Sequence, residues 1–244
     1  MKLLLNDMIF SYEKLNTFFE RLKQKGPVIP LKDWDLKDVV TLLRHDIDLD
    51  VDNAYNLFKI EVDAGVRSTF LFLTSCYTYN ILSENNRKKI REISDQGFEV
   101  GLHFDPLLYS DHENLSKKVF FEAGIIEEIT GKPVKTISLH NPSIHGKYPV
   151  FENYINAYTA PYFNPDDYIS DSRLGFRGKD PFNFIENKRN VTTQVLLHPL
   201  HFSKHERDYK NILKDYYSNH FQYTDSQFRQ NNNVYDSQVP PNLI

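Results

Sequence analysis

The stretch Val39-Val40-Thr41-Leu42-Leu43-Arg44-His45-Asp46-Ile47-Asp48 decides how the chain is read. Val39 to Arg44 is a nearly continuous apolar run with no alternation, the signature of a strand covered on both faces. From Asp50 to Ala64, Val51, Ala54, Tyr55, Leu57, Phe58 and Val62 recur at helical spacing, and Gly65 is a natural stop. A doubly buried strand followed at once by an amphipathic helix is one β/α unit. The polar residues between them sit where the strand ends. Asp46 and Asp48 are two apart, so they share one face of an extended chain, and His45 faces the other way. The helix cap needs neither of them, because Asp50 or Asp52 can supply it.

The same unit recurs along the chain. Ser68–Leu73, Phe98–His103, Val134–His140, Tyr168–Asp171 and Val191–His198 read as further strands. Glu84–Gln96 and Asn114–Thr130 read as helices, closed by Gly97 and by Gly131-Lys132-Pro133. Asn6–Lys23 is expected as an opening helix. Alternating strands and helices imply parallel strands joined by crossovers. About seven such units in one chain predict an α/β fold of the distorted (β/α) barrel kind, seven-stranded, with an open doubly wound sheet as the alternative. No Gly-x-Gly-x-x-Gly or phosphate-loop motif is present. The expected organisation is a helical cover over 1–38, a barrel over 39–224 and a polar tail over 225–244, rich in Asn, Gln and Ser.

Composition narrows the functions. The 244 residues are 40% hydrophobic and 14% aromatic, with a formal net charge of −4. That balance fits a globular domain, and it lacks the basic excess of a nucleic-acid binder. Cys76 is the single cysteine, which excludes an internal disulfide and a Cys-rich zinc site. No run approaches the ~20 apolar residues of a membrane span. The apolar run after Met1 is short and meets Asp7, so a soluble cytoplasmic protein is expected.

The chemistry lies at the strand ends, which read Arg44-His45-Asp46-Ile47-Asp48, His103-Phe104-Asp105, His140-Asn141, Ser170-Asp171 and His198-Pro199. In a parallel α/β fold these ends meet on one face, where active sites are built. Burying so many ionisable groups together is costly unless they are paired, solvated or bound to a metal. Carboxylate and imidazole without thiolate suit a divalent metal, zinc foremost, with manganese, iron, cobalt or nickel as alternatives. Such a site acidifies water and polarises a carbonyl, so metal-assisted hydrolysis is the first expectation.

These motifs resemble the polysaccharide deacetylase, or NodB-like, carbohydrate esterase family 4, from about Val39 to about Phe202. Leu43-Arg44-His45-Asp46-Ile47-Asp48 is similar to the first motif of a divergent branch found among surface-polysaccharide biosynthesis proteins. Gly65-Val66-Arg67-Ser68-Thr69-Phe70, Gly97-Phe98-Glu99-Val100-Gly101-Leu102-His103 and Leu196-Leu197-His198 resemble later family segments. The resemblance implies a NodB-like barrel and a metal-dependent deacetylase acting on an N-acetylated sugar or polysaccharide precursor. Asp46 would be the catalytic base, Asp48 and His103 metal ligands, His198 the general acid and Asp171 its partner. The family's second metal histidine corresponds to Leu107, which cannot ligate. His140 is the preferred substitute, with Asp105 and His45 as other candidates. Another amide hydrolase or deformylase on the same scaffold, or a non-catalytic glycan-binding member, are the alternatives.

The remaining candidates divide simply. Arg44 either anchors a substrate carboxylate, orients Asp46 or forms a structural ion pair. His45, Asp105 and Asp171 are expected to touch substrate or to support the ligands from behind. His201 and His205 are expected on the surface. Trp34 and Tyr109 are read as packing residues before sugar-stacking ones, and Cys76 as a passive strand-end residue.

Overall fold

The computed structural model describes residues 9–110, 114–187 and 190–240. Residues 1–8, the start of the expected opening helix and His112 lie outside them. Residues Met1–Glu206 form one compact unit and Arg207–Ile244 a second.

The first unit is a parallel β/α fold. Its strands are β1 (Val28–Ile29), β2 (Thr41–Ile47), β3 (Thr69–Leu73), β4 (Glu99–Phe104), β5 (Thr136–Leu139), β6 (Ile155–Asn156), β7 (Tyr168–Ser170) and β8 (Thr193–Leu197). They pair in the order β6-β5-β4-β3-β2-β8-β7, all parallel, and β1 adds to β2 off this path. The crossover helices are α1 (Tyr12–Gln24), α2 (Val51–Ala64), α3 (Glu84–Asp95), α4 (Leu115–Thr130), α5 (Pro142–His145) and α6 (Pro181–Glu186). All seven residues of β2 are buried, as a strand covered on both faces requires. β2 runs three residues past the expected Arg44, because Arg44 to Ile47 continue the ladder with Thr69 to Phe72. Asp50 caps α2 by accepting the Asn53 amide, and Gly65 ends the helix in the left-handed conformation.

The sheet is a barrel and not a flat layer. In a flat sheet β2 and β5, three strand steps apart, would lie ~14 Å from each other. Yet the Ser138 hydroxyl of β5 donates to Asp46 Oδ1 of β2 at 3.1 Å. The two edges also meet. Tyr158, just after β6, has its ring centroid 6.5 Å from Tyr168 of β7. Among the described residues no ladder joins β6 to β7, so the closure is made by side chains. The Gln194 amide on β8 completes it by donating to the Ala157 and Tyr162 carbonyls at 3.0 and 2.8 Å. This is the distorted (β/α) barrel that the alternating pattern predicts.

Residues 9–38 do more than cover the barrel. β1 joins the sheet, the Leu31 amide donates to Thr69 Oγ1 at 2.9 Å, and the Lys32 amide donates to Glu99 Oε2 at 3.0 Å. Burial pushes the Glu99 carboxyl up, and the Thr69 and Thr136 hydroxyls donate to it. The purely helical cover expected over 1–38 is therefore corrected to a helix followed by a strand that plugs the barrel's amino-terminal end.

The second unit also departs from expectation. The boundary at 225 falls inside α7 (Tyr209–Asn231), which is followed by α8 (Tyr235–Gln238). Polar composition concealed this helix, which is held locally. Arg229 Nε donates to Asp225 Oδ2 at 2.7 Å, one turn away, and the Tyr235 hydroxyl donates to Asp225 Oδ1 at 2.9 Å. No helix among the described residues is long and apolar enough to cross a membrane.

Gly101 sits where β4 and β5 pass too closely for a side chain. A Cβ there would lie 2.5 Å from the Thr136 carbonyl oxygen and 2.7 Å from Leu71 Cδ2. The first is backbone of the neighbouring strand and cannot turn aside. Gly101→Ala is expected to cost about 1–3 kcal/mol in urea unfolding. A variant as stable as the parent would show that the ladder between β4 and β5 yields.

Candidate active site

Each site residue is set by a strand or its first turn. Along β2 the inward face carries Arg44 and Asp46, and Asp48 follows on the same side beyond the strand. On β4 it carries His103, and on β5 Ser138 and then His140. Between β7 and β8 lie Asp171 and His198. The register pairs His103 with Ser138, so the hydroxyl and the imidazole are neighbours by construction.

Asp48, His103 and His140 converge. Asp48 Oδ1 is 3.2 Å from His103 Nε2 and 3.4 Å from His140 Nδ1, and the two ring nitrogens are 3.1 Å apart. Asp48 Oδ1 is buried, and among the described residues no donor is aligned with it. Such an oxygen, facing two imidazole nitrogens, has the form of a metal ligand set. Burial opposes ionisation of Asp48, but the two imidazoles beside it outweigh that and hold its carboxyl well below the usual range. The reverse holds at His140, where burial opposes charge and Asp48 raises the basicity.

The tautomer of His103 follows from a proton count. Ser138 has one proton, and Asp46 Oδ1 at 3.1 Å is an acceptor only. The Ser138 oxygen therefore accepts from His103 Nδ1, 2.6 Å away. In the neutral ring that metal ligation requires, Nδ1 carries the hydrogen and the lone pair of Nε2 faces Asp48 and His140. Asp46 Oδ2 lies 3.8 Å from His103 Nδ1. Arg44 stands behind Asp46, its guanidinium 3.7 Å from Oδ1 and 4.4 Å from the centroid of the Tyr158 ring. Burial works against the Arg44 charge, but Asp46 and the Tyr158 and Tyr168 phenols raise its pKa further.

A second cluster flanks the first. Asp171 Oδ1 accepts from His198 Nδ1 at 2.6 Å, and Oδ2 accepts from His201 Nδ1 at 3.0 Å. The His198 backbone amide also reaches both oxygens, each at 3.0 Å. Burial opposes the Asp171 charge, but the two imidazoles and these donors depress its pKa strongly. For His198 burial again opposes charge, but Asp171 outweighs it and the imidazole is pushed up to about 9. Its Nε2 points at Asp48 Oδ2, 3.7 Å away.

The structure sorts the remaining sequence candidates. His45 is on the outer face of β2, where its Nε2 lies 2.7 Å from Glu61 Oε1 of α2, so it cannot join the ligands. Arg44, His45 and Asp171 are fully buried. Asp105 caps the turn Pro106–Leu108 through the Leu107 amide at 2.9 Å and does not enter the metal cluster. Trp34 packs edge-on against Tyr162 among the residues of the amino-terminal plug. Tyr109 stacks on Phe104 and donates its hydroxyl to Glu122.

His201 corrects the expectation of a surface residue, because it is 2% exposed and packs edge-on against Phe10. Its spacing from His198 was the missed signal. Pro199–His201 is a single 3-10 turn, and residues three apart in such a turn stack on one side. Ser138 was missed too, although it lies two residues before His140 on the same face of β5.

No family model matches the chain, and no curated protein matches it. Solved structures do align with it. A CE4 family pseudoenzyme from Bacillus anthracis is 12% identical, with a TM-score of 0.45 over 75% of this chain and 62% of that one. A mutant pseudoenzyme of this kind with restored enzymatic activity is 14% identical, with a TM-score of 0.47 over 75% and 64%. The chain thus spans less than two thirds of either. The Bc1960 peptidoglycan N-acetylglucosamine deacetylase is 16% identical, with a TM-score of 0.47 over 66% of this chain and 72% of that one.

The Asp171–His198 pair has a measurable consequence in metal-free protein. A folded pKa of about 9 lies above the unfolded histidine value of ~6.5. The pair's stabilising contribution is therefore complete below ~6.5 and is lost as pH rises through about 9. An NMR titration is expected to show one imidazole titrating near the upper value, and Asp171→Asn should bring it down by more than ~1 unit. Histidines that all titrate below neutrality would contradict this pairing.

Proposed function

We propose that the chain is a metal-dependent amide hydrolase, specifically a deacetylase of an N-acetylated sugar in surface-polysaccharide biosynthesis. A nucleotide-linked or lipid-linked sugar precursor in the cytoplasm is the substrate class favoured. The observation that carries this reading is the convergence of Asp48 Oδ1, His103 Nε2 and His140 Nδ1 within 3.1–3.4 Å, next to the His198–Asp171 pair. The motif resemblance of Asp48, His103 and His198 to polysaccharide deacetylases supports the sugar.

The donor set fits a divalent cation. It offers one carboxylate oxygen with which no donor among the described residues is aligned, and two imidazoles, one of whose tautomers is already fixed by Ser138. Asn141 Nδ2 is 2.8 Å from His140 Nε2, and turning that amide over would let its oxygen take the Nε2 proton and free Nδ1 for a ligand bond. When bound, a divalent cation there supplies Lewis acidity, polarising an amide carbonyl and acidifying water. Zinc is the first choice for such ligands, with manganese, cobalt, nickel or iron as alternatives.

The chain's own groups divide the proton work. Asp46 Oδ2, the oxygen left open by Ser138, takes the proton of the attacking water. His198 carries a proton on Nε2 and returns it to the departing amine nitrogen. Asp171 orients that ring through Nδ1, and Arg44 provides the countercharge behind Asp46.

Elemental analysis of protein purified without chelator tests the reading. About one divalent ion per chain is expected, and His103→Ala should lose it. On a panel of N-acetylated sugars, Asp46→Asn and His198→Ala should each slow acetate release by ~10²–10⁴-fold. A wild-type protein that takes up no zinc, manganese, cobalt or nickel would sink the proposal.

A further inference from the structure

Asp48 is the hub of the site, yet it stands on unsupported backbone. The ladder between β2 and β3 ends with Ile47 opposite Phe72, and α2 starts at Val51. Residues 48–50 bridge the gap outside both elements. A ligand carboxylate on such a bridge would wander unless something fixed the peptide planes on either side of it.

The loop after β3 provides that support. The Tyr79 hydroxyl donates to the Ile47 carbonyl at 3.1 Å. The Thr78 hydroxyl donates to the Leu49 carbonyl at 2.5 Å. Cys76 Sγ lies 3.6 Å from the Asp48 carbonyl and 3.0 Å from Thr78 Oγ1. The carbonyls before and after Asp48 are thus held from one loop. The loop has its own anchor, because the Thr74 hydroxyl donates to Glu122 Oε2 of α4 while Tyr109 holds Oε1. Burial, with Cys76 and Asp48 nearby, raises the Tyr79 pKa well above the usual phenol, so its hydroxyl keeps the proton it donates.

We infer that Tyr79 and Thr78 are positioning residues for Asp48, fixing the backbone that presents its carboxylate to the divalent cation. The inference rests on Asp48 being a metal ligand. Neither side chain touches the cation. Each acts by stopping rotation of the peptides that flank Asp48, and a ligand set tolerates only about 0.5 Å of misplacement.

Cobalt binding to the full chain tests this. Tyr79→Phe and Thr78→Val should each weaken Co²⁺ affinity by ~10-fold or more in chelator competition. They should also shift the visible absorption bands, which report ligand geometry. Thr78→Ser, which keeps the hydroxyl, should restore both. Tyr55→Phe is the control, since it removes a hydroxyl bonded to Glu92 on the outer side of α2 and should leave cobalt binding unchanged. Wild-type affinity and spectrum in both Tyr79→Phe and Thr78→Val, with cobalt bound by the parent, would overturn the positioning role and leave the metal site standing. A parent chain that binds no cobalt would overturn the metal site and this inference together.

Discussion

A serine hydroxyl has one proton to give, and Ser138 is placed between two groups that compete for it. Asp46 can only accept, so it takes the proton, and His103 must then donate through Nδ1. That single constraint ties three strands together across the barrel. It draws β5 against β2, where a flat sheet would keep them apart, and it turns the free nitrogen of His103 towards Asp48. Fold closure and site chemistry are therefore one arrangement. Replacing Ser138 with alanine would leave His103 Nδ1 facing the Asp46 carboxylate at 3.8 Å, too far for a direct hydrogen bond.

The interior polarity has a cost that the barrel meets by pairing. A buried guanidinium with few hydrogen bonds is a poor stabiliser by itself, and ion pairs in a core are often no better than apolar packing. Among the described residues the three Arg44 nitrogens have no hydrogen-bond partner of good geometry. What it has is Asp46 at 3.7 Å and the face of Tyr158 at 4.4 Å. Its presence is better explained by the carboxylates than by stability. Asp46 and Asp48 lie on one face of one short segment, and Arg44 offsets their mutual repulsion from the inner side. The His45 and Glu61 pair on the outer face of β2 is a separate packing network, completed by Ser68 donating to Glu61 Oε2 at 2.6 Å.

The parity of an extended chain made much of this legible from residues alone. It put Arg44, Asp46 and Asp48 on one side and His45 on the other, and the repeated strand-end polarity brought β2, β4, β5, β7 and β8 to one face. What stayed hidden depended on geometry that sequence spacing does not show. His201 looked peripheral because it lies past the late strand, yet Pro199 starts the tight turn that returns it to Asp171. Ser138 carries no charge and no motif, so nothing in its identity signalled that it fixes a tautomer. β1 and β6 are two residues long, shorter than any periodicity can reveal. The helix over Tyr209–Asn231 was masked by its polar composition, because its turns are held by side-chain pairs and not by an apolar stripe on a core.

Leu107 shows what the departure from the resembled motif does to the site. Two histidines four residues apart would place both ligands on one short turn, largely independent of the rest of the fold. Here that turn presents a leucine, 43% exposed, and the second imidazole comes from His140 at the end of the next strand. The three candidate ligands then come from β2, β4 and β5, elements brought together only by the closed barrel. Unfolding would scatter them, so the unfolded chain offers no comparable ligand set. A cation that binds only the folded state stabilises it in proportion to the logarithm of its concentration over Kd. Convergence of Asp48, His103 and His140 in turn depends on the register that sets His103 opposite Ser138, and hence on the close approach at Gly101 that allows β4 and β5 to meet.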